Sequence, residues 1–258
     1  KWILDTQGIR NGSPWLALIW FCGTVPVTLL LLRAFPQPYG WLPDGARAAP
    51  GDIANISGTP LAEAVRSRFY KAVTFGYIFA LGAQVGGALQ LVKLVEERTD
   101  RSTATLATIV LSTMSIISRF AAGRIIPKIN MTRFTVGLAG LQGVSLASLG
   151  LVNNRIGLLI AIGLFGVTIG NMVMMQSLLL AERFGVRDYP KIAARSGLIS
   201  FSGTALGPLL LGWLYDVAGG YRSSYLAAGV CSIIGAVLFS FAGSASVASA
   251  EVASVNSQ

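Results

Sequence analysis

One ionisable side chain stands inside an otherwise apolar stretch of the sequence. Arg119 lies in LSTMSIISRFAAG, a run that contains no other charge. A cation near the centre of a bilayer costs about 3 to more than 10 kcal/mol, so such residues usually face a protein interior or water. A guanidinium can bind both oxygens of a carboxylate at once. We therefore predict that Arg119 binds an anion; the alternative is that its side chain extends to the headgroups near Arg124.

Four uncharged polar residues could complete a binding site around this arginine. Ser115 precedes Arg119 by one helical turn and shares its face. Gln84 and Asn171 stand in apolar runs beside glycines, where a cavity is plausible. Ser202 belongs to a hydroxyl-rich run with neighbouring serines. These residues are predicted to contact the substrate, although a polar side chain in an apolar run can instead bond a neighbouring helix.

The residue inventory excludes several kinds of catalytic chemistry. The chain has no histidine, which removes zinc sites of the usual kind and a serine–histidine–aspartate triad. Its two cysteines, Cys22 and Cys231, lie in apolar runs without metal-ligand spacing. No G-x-x-x-x-G-K-[ST] segment is present, which argues against ATP-driven transport. We expect no metal, no cofactor and no enzymatic activity.

The composition indicates which elements must hold these residues. Hydrophobic residues make up 53% of the 258 residues and charged residues only 12%, where a soluble domain carries about 25% charged residues. The chain therefore has too few charges to cover a water-facing surface. The net charge of +9 would suggest nucleic acid on a soluble protein, but on a membrane protein it reflects basic loops near anionic lipid. We expect membrane lipid as a partner and no nucleic acid.

The sequence contains seven apolar stretches long enough to cross a bilayer, which takes about 20 residues. Such stretches must be helical, because lipid cannot satisfy an open backbone. The predicted fold class is an all-α membrane protein. The spans run from about Pro14 to Leu32, Ala72 to Val92, Thr103 to Ile126, Phe134 to Val152, Ile156 to Ala181, Ala194 to Tyr215, and Ser224 to Ala242.

Basic residues assign an orientation to these spans. With the end of the first span at Arg33 placed inside, inside loops hold 12 lysines and arginines and outside segments hold 7. Basic residues favour the cytoplasmic side. Residues 1–34 then form an outer segment and the first span, 35–70 a cytoplasmic linker rich in proline, 71–243 a six-helix bundle, and 244–258 a mobile cytoplasmic tail. A short helix is predicted at Leu61–Arg68, and the start at Lys1 suggests a fragment.

Glycines recur at helical spacing within the spans. Gly82 and Gly86 form G-x-x-x-G, and Gly203 and Gly207 repeat that spacing; Gly163, Gly166 and Gly170 line another span. Small residues allow helices to approach closely. We predict close packing for these glycines, with bending at Gly207-Pro208 as the alternative.

Four segments resemble bacterial major facilitator transporters. They are FPQPYGWLPDG, PLAEAVRSRFYKAV, ISRFAAGRIIPKIN and ALGPLLLGWLYDVAGGY. Their order is similar to that of the branches that carry oxalate and formate, monocarboxylates, or cyanate and nitrate. The resemblance implies a major facilitator fold in which the chain supplies helices six to twelve. It also implies that helices one to five belong to a missing N-terminal half of the same protein.

The same resemblance implies roles for several residues. Those branches place an arginine four residues before a glycine on the eighth helix, facing the cavity, which Arg119 and Gly123 match. Gly123, Arg124 and Lys128 resemble the family's G-x-x-x-D-R gating loop, but Pro127 stands where that motif has aspartate. The basic residues could equally serve to meet lipid. Gly212 and Asp216 keep the G-x-x-x-D spacing at the opposite membrane face.

The sequence therefore predicts a secondary transporter for a small carboxylate-like or inorganic anion, working by alternating access in a bacterial cytoplasmic membrane. A proton relay is in doubt, because Ser115 stands where many monocarboxylate carriers have an aspartate. The alternatives are a carrier of neutral or drug-like substrates and a membrane receptor of the same fold that does not transport.

Overall fold

A computed structural model describes residues 14–15, 18–19, 21–29 and 58–245. The chain divides into two units, Lys1–Ile56 and Ser57–Gln258, and this division falls within the predicted linker. In the first unit the described residues are helical, as the first predicted span requires at those positions. The rest of that unit, most of the linker, and the tail from residue 246 lie outside the described residues.

The second unit is built from helices over its described residues, 58–245. They are α1 Leu61–Arg66, α2 Arg68–Arg98, α3 Arg101–Ile125 with a 3₁₀ turn Ile126–Lys128, α4 Met131–Leu151, α5 Arg155–Phe184, α6 Tyr189–Ser200, α7 Ser202–Ala218 and α8 Tyr221–Ser240. The described part of the unit contains no β-strand, only an isolated bridge between Gly58 and Gly185.

Six helices of this unit are long and apolar enough to cross a membrane: α2, α3 with its 3₁₀ turn, α4, α5, α6 with α7, and α8. They coincide with the last six predicted spans, so the prediction of an all-α, multi-pass membrane protein is confirmed at this level. Several helices are longer than the apolar runs that predicted them. The largest difference is in α2, which extends from Arg68 to Arg98, because helical hydrogen bonding continues into the charged flanks.

Polar caps explain where these helices begin. A side chain just before the helix accepts a hydrogen bond from a backbone N–H of the first turn, which otherwise lacks a partner. The caps are Ser67 for α2, Asp100 for α3, Asn130 for α4 and Asn154 for α5. Glycines with positive φ, Gly185 and Gly219, follow the ends of α5 and α7, the position that such residues favour at helix ends.

Helix α2 lies at the centre of the bundle. It packs against α7 and α8, while α4 pairs with α8 and with α5, and α3 lies along α5. The buried apolar side chains form two clusters. One contains Tyr77, Met172 and Phe239, and the other contains Leu146, Phe165 and Tyr225.

Glycines set the contact between α2 and α7. A Cβ at Gly203 would overlap the backbone carbonyl of Ile78, and one at Gly207 would overlap that of Gly82. On the α2 side, a Cβ at Gly86 would lie 3.0 Å from the carbonyl carbon of Gly207. The backbones of the two helices are therefore in contact, which confirms the predicted packing role for these glycines.

A second glycine row faces α3. A Cβ at Gly166 would lie 2.6 Å from the Leu111 carbonyl oxygen, and one at Gly170 would lie 2.9 Å from that of Ser115. Gly163 has only ordinary contacts with α3, at 3.7 Å from Met114 and Val110. This glycine row lets α3 lie closely along α5. It thereby fixes where the α3 residues after Ser115 lie along the axis of α5.

Two of the membrane-length helices are mostly uncovered. Only 17% of the most apolar stretch of α3 and 22% of that of α6–α7 are buried, against 44–56% for the other four helices. Exposed side chains on these two helices include Ile117, Phe120, Leu198 and Leu209. The described bundle thus leaves α3 and α6–α7 open to lipid or to another protein surface.

The span formed by α6 and α7 is divided into two helices, and bending at Gly207-Pro208 stays a prediction. The break falls at Phe201, between Ser200 and Ser202, and α7 continues through Gly207 and Pro208. Pro208 cannot donate a backbone hydrogen bond to the turn before it. The helix therefore lacks one backbone hydrogen bond at this proline.

Candidate functional site

Arg119 lies near the end of α3, on its exposed side. A Cβ at Gly170 would lie 2.5 Å from Arg119 Nε and 2.9 Å from its Cγ. The arginine side chain thus lies across α5 at Gly170, where the absence of a side chain leaves room for it. Because any larger residue would displace it, Gly170 positions the guanidinium.

The guanidinium of Arg119 makes no ion pair and no hydrogen bond with the described part of the chain. Phe120 beside it is 69% exposed, so the arginine stands on a largely apolar surface. A cation in such surroundings needs either an anion or contact with water and headgroups. This is the most distinctive electrostatic feature of the described spans.

Ser115 is brought to the same crossing. It precedes Arg119 by one turn on α3, is partly buried, and its carbonyl oxygen accepts a hydrogen bond of 3.0 Å from Ser118 Oγ. That carbonyl also faces Gly170. The predicted proximity of Ser115 and Arg119 on one side of α3 therefore holds.

Asn171 follows Gly170 on α5 and is 1% exposed. Its Nδ2 donates to the Val167 carbonyl oxygen at 2.9 Å, whereas its Oδ1 is buried and has no partner among the described residues. A buried acceptor without a donor costs about 1–3 kcal/mol. The amide next to Gly170 therefore has capacity for one further donor.

Gln84 lies apart from this crossing, inside the bundle. It is 4% exposed, and its Nε2 donates to Gln142 Oε1 at 3.3 Å. Gln142 in turn donates to the Ala80 carbonyl oxygen at 2.8 Å and to Ser232 Oγ at 3.0 Å. In the described bundle Gln84 thus belongs to a buried hydrogen-bond network that joins α2, α4 and α8.

Ser202 is also separate from Arg119. It is exposed at the first position of α7, where its Oγ donates to the Ile199 carbonyl oxygen at 2.7 Å. The structure therefore brings together Arg119 and Ser115 beside Gly170, with Asn171 adjacent in sequence. Gln84 and Ser202 lie on other elements, and their predicted contact with a substrate stays a prediction.

The predicted gating residues stand at the two ends of the bundle. Gly123, Arg124 and Lys128 are exposed around the 3₁₀ turn that contains Pro127, and a Cβ at Gly123 would meet nothing within 4 Å. Neither cation forms an ion pair with the described part of the chain. This loop is therefore free to meet another surface.

The opposite end has a contact that sequence reasoning missed. Gly212 has one neighbour, Gln90 Nε2, at 3.8 Å from a Cβ, and Asp216 is exposed. The carboxylate used there is Glu97 on α2, whose Oε1 accepts from Tyr215 Oη at 3.0 Å. The hydroxyl of Tyr215, the residue before Asp216, thus connects α7 to α2.

The sequence analysis also did not predict a second buried polar cluster. Gln176 Nε2 donates to Ser200 Oγ at 2.9 Å and contacts Ser196 Oγ at 3.3 Å. Ser196 Oγ lies 2.8 Å from Thr74 Oγ1, so the cluster joins α5, α6 and α2. The four-residue spacing of the two serines was the available signal, but the partners lie far apart in sequence.

The end of the linker is fastened to the loop between α5 and α6. Asp188 Oδ2 accepts from the Leu61 backbone N–H at 3.1 Å, and its Oδ1 accepts from Lys191 Nζ at 3.2 Å. Thr59 N–H donates to the Phe184 carbonyl oxygen at 2.8 Å. The Leu61 N–H, followed by Lys191, lowers the pKa of the Asp188 carboxyl below its usual 3.8.

Comparison with known proteins gives no match, either to a family model or to a curated protein. The resemblance to major facilitator transporters thus stays a prediction based on sequence motifs. What the geometry gives directly is a helical membrane bundle with an unpaired arginine at the crossing of α3 and α5.

Proposed function

We propose that the protein is a secondary transporter of a small anion, a carboxylate-like or inorganic one, that works by alternating access in a cytoplasmic membrane. The single observation that carries the proposal is the unpaired guanidinium of Arg119 held at Gly170. A membrane-embedded arginine without an internal counter-charge supplies strong, two-point binding for an anion.

The surroundings of Arg119 also support the proposed role in anion binding. Helix α3, which carries it, is the least buried of the membrane-length helices, so the guanidinium is accessible from outside the described bundle. The motif resemblance adds that a second bundle completes the cavity.

The test is uptake of labelled small anions into proteoliposomes by the full-length protein. Arg119→Lys keeps the charge but loses the planar two-point geometry, and Arg119→Ala loses both. The proposal places Arg119 in a cavity that a second bundle closes, and removing a charge-assisted contact from such a site costs about 2–5 kcal/mol, or about 30-fold or more in affinity. Uptake by the Arg119→Lys variant is expected to be impaired, and the Arg119→Ala variant is expected to be almost inactive.

Two further variants make the test specific. Gly170→Ala leaves the charge intact but places a methyl group where the Arg119 side chain lies, so we expect reduced uptake with normal membrane insertion. Arg101→Ala, an exposed arginine at the other end of α3, should leave uptake unchanged. Normal uptake by both Arg119 variants would refute the proposal and favour a neutral substrate or a non-transporting receptor.

A further inference from the structure

A groove opens on the outer surface of the bundle where α2 begins and α8 ends. Its volume is about 410 Å³, within the range of about 300–1,000 Å³ that small-molecule sites occupy. Three of its lining residues are cations and the others are mainly apolar. They are Arg66, Arg68, Lys71, Ala72, Phe75, Leu238 and Phe241.

The three cations of this groove are exposed and uncompensated. None of Arg66, Arg68 and Lys71 forms an ion pair or a side-chain hydrogen bond with the described part of the chain. Arg68 lies over the Phe241 ring, with its guanidinium carbon 5.9 Å from the ring centre. Such stacking orients the guanidinium while leaving its N–H groups free for an acceptor.

The apolar part of the groove continues along the helix axis. Phe75 is 51% exposed and Phe241 is 55% exposed, and Leu238 lies partly buried between the two helices. At 1.5 Å per residue, Phe75 lies about 10 Å further along α2 than Arg68. Because α2 crosses the membrane, charge is at the end of the groove nearer the headgroups and apolar surface is at the deeper end.

We propose that this groove binds an anionic phospholipid. The cations hold the headgroup phosphate, and one acyl chain lies along Phe75 and Leu238. This end of the bundle is the one that the charge count predicts to be cytoplasmic, where membranes carry anionic lipid. The site is separate from Arg119 and does not depend on which substrate the protein carries.

A neighbouring groove provides a comparison. It has about the same volume, 430 Å³, and lies at the start of α4 beside the end of α8, but its lining includes only one cation, Arg133. If basic loop residues were sufficient for selecting anionic lipid, the cations of the α3–α4 loop would contribute as much as those of the first groove. The proposal predicts that the loop cations contribute less, because only the first groove combines three cations with an apolar surface.

The experiment measures lipid selectivity of the full-length protein in bilayers. Spin-labelled phosphatidylglycerol and phosphatidylcholine report the fraction of lipid immobilised at the protein surface, and their ratio gives the selectivity. Wild type is expected to favour phosphatidylglycerol. Each cation removed should lower the relative association constant by about fivefold, so that the triple variant Arg66→Gln, Arg68→Gln, Lys71→Gln loses its preference.

The control is a triple variant with the same charge change at the same end of the bundle, Arg124→Gln, Lys128→Gln, Arg133→Gln, which should keep the selectivity. The single variant Lys71→Gln gives a partial loss and guards against misfolding of the triple variant. Equal selectivity in wild type and the groove variants, or equal loss in the control, would overturn the proposal. So would displacement of the lipid by millimolar inorganic phosphate, which would assign the cations to a free anion.

Discussion

Replacing Gly207 by alanine should disrupt the contact between α2 and α7. The added Cβ would lie 2.6 Å from the carbonyl carbon and 2.7 Å from the Cα of Gly82, and nearer still to its carbonyl oxygen. Ordinary contact of a Cβ begins at 3.4 Å. The neighbour is backbone in a regular helix, so no side-chain rotation can relieve the overlap.

The size of the effect follows from what must move. Overpacking of a well-packed interior costs about 1–3 kcal/mol, and a rigid neighbour places Gly207→Ala at the upper end. The nearest atom to the Cβ of Gly82→Ala would be the Gly203 carbonyl oxygen, at 3.0 Å, which needs a shift of a few tenths of an ångström. The order of destabilisation should therefore be Gly207→Ala first and Gly82→Ala second.

The assay is thermal or denaturant-induced unfolding of the purified protein in one detergent, with Gly140→Ala as the matched control. A Cβ at Gly140, inside α4, would meet nothing within 4 Å. Alanine there should be neutral, or stabilising by about 0.5–1 kcal/mol, because it reduces the flexibility of the unfolded chain. Gly207→Ala should unfold at a clearly lower temperature.

Equal stability of Gly207→Ala and Gly140→Ala would refute the reasoning. It would mean that α2 and α7 separate without cost, and that the glycine spacing does not fix their distance. A reversed order of Gly82→Ala and Gly207→Ala would instead show that the closest backbone approach is on the α2 side.

Two further predictions concern polar contacts. Asp188→Ala removes the acceptor of the Leu61 N–H, so hydrogen–deuterium exchange of the segment 58–66 should accelerate. Because the pKa of Asp188 is lowered, the protection of this segment in the wild type, relative to its intrinsic exchange rate, should be complete above about pH 4 and be lost as the pH falls through that lowered pKa. A protection factor that does not change with pH would contradict this. Gln142→Met removes the centre of the network that includes Gln84, leaving buried groups unpaired at about 1–3 kcal/mol; its unfolding temperature should fall more than that of Gln84→Met, which loses one contact, and equal values would show that the network is not cooperative.

The membrane-length helices could be predicted from sequence because each rests on local information. A run of apolar residues of the right length must be helical in lipid, and caps such as Asn130 mark where it starts. The ends were less predictable, because apolar runs stop before the helices do. Arg68 extends α2 at one end, where its side chain is exposed, and Arg98 extends it at the other, where its guanidinium binds backbone carbonyls of α4.

The candidate site was predictable only in part. Arg119 and Ser115 share a turn, so their proximity follows from helical spacing alone. Their position against Gly170 depends on how α3 lies along α5, and no local pattern gives that. Gln84 and Gln142, or Thr74 and Ser196, meet across helices far apart in sequence, so a polar residue in an apolar run does not reveal whether it faces a cavity or a partner.

Arg98 lies between the second and third predicted spans and is one of the seven basic residues that the predicted orientation places outside, but its guanidinium is bound to backbone carbonyls of α4. Its Nη1 donates to the carbonyl oxygens of Leu149 at 2.6 Å and Val152 at 2.7 Å, and its Nη2 donates to that of Gly150 at 3.1 Å. These carbonyls belong to the C-terminal end of α4, which carries partial negative charge.

The consequence concerns biogenesis. The carbonyls at the end of α4 do not exist as a binding site until that helix has crossed the membrane, and α2, which carries Arg98, precedes it in the chain. In the predicted orientation, the arginine therefore crosses the membrane as a free cation before its partner carbonyls are in place. That orientation predicts that the basic residues at the start of α2, Arg66, Arg68 and Lys71, keep the other end of the helix on the cytoplasmic side in the meantime.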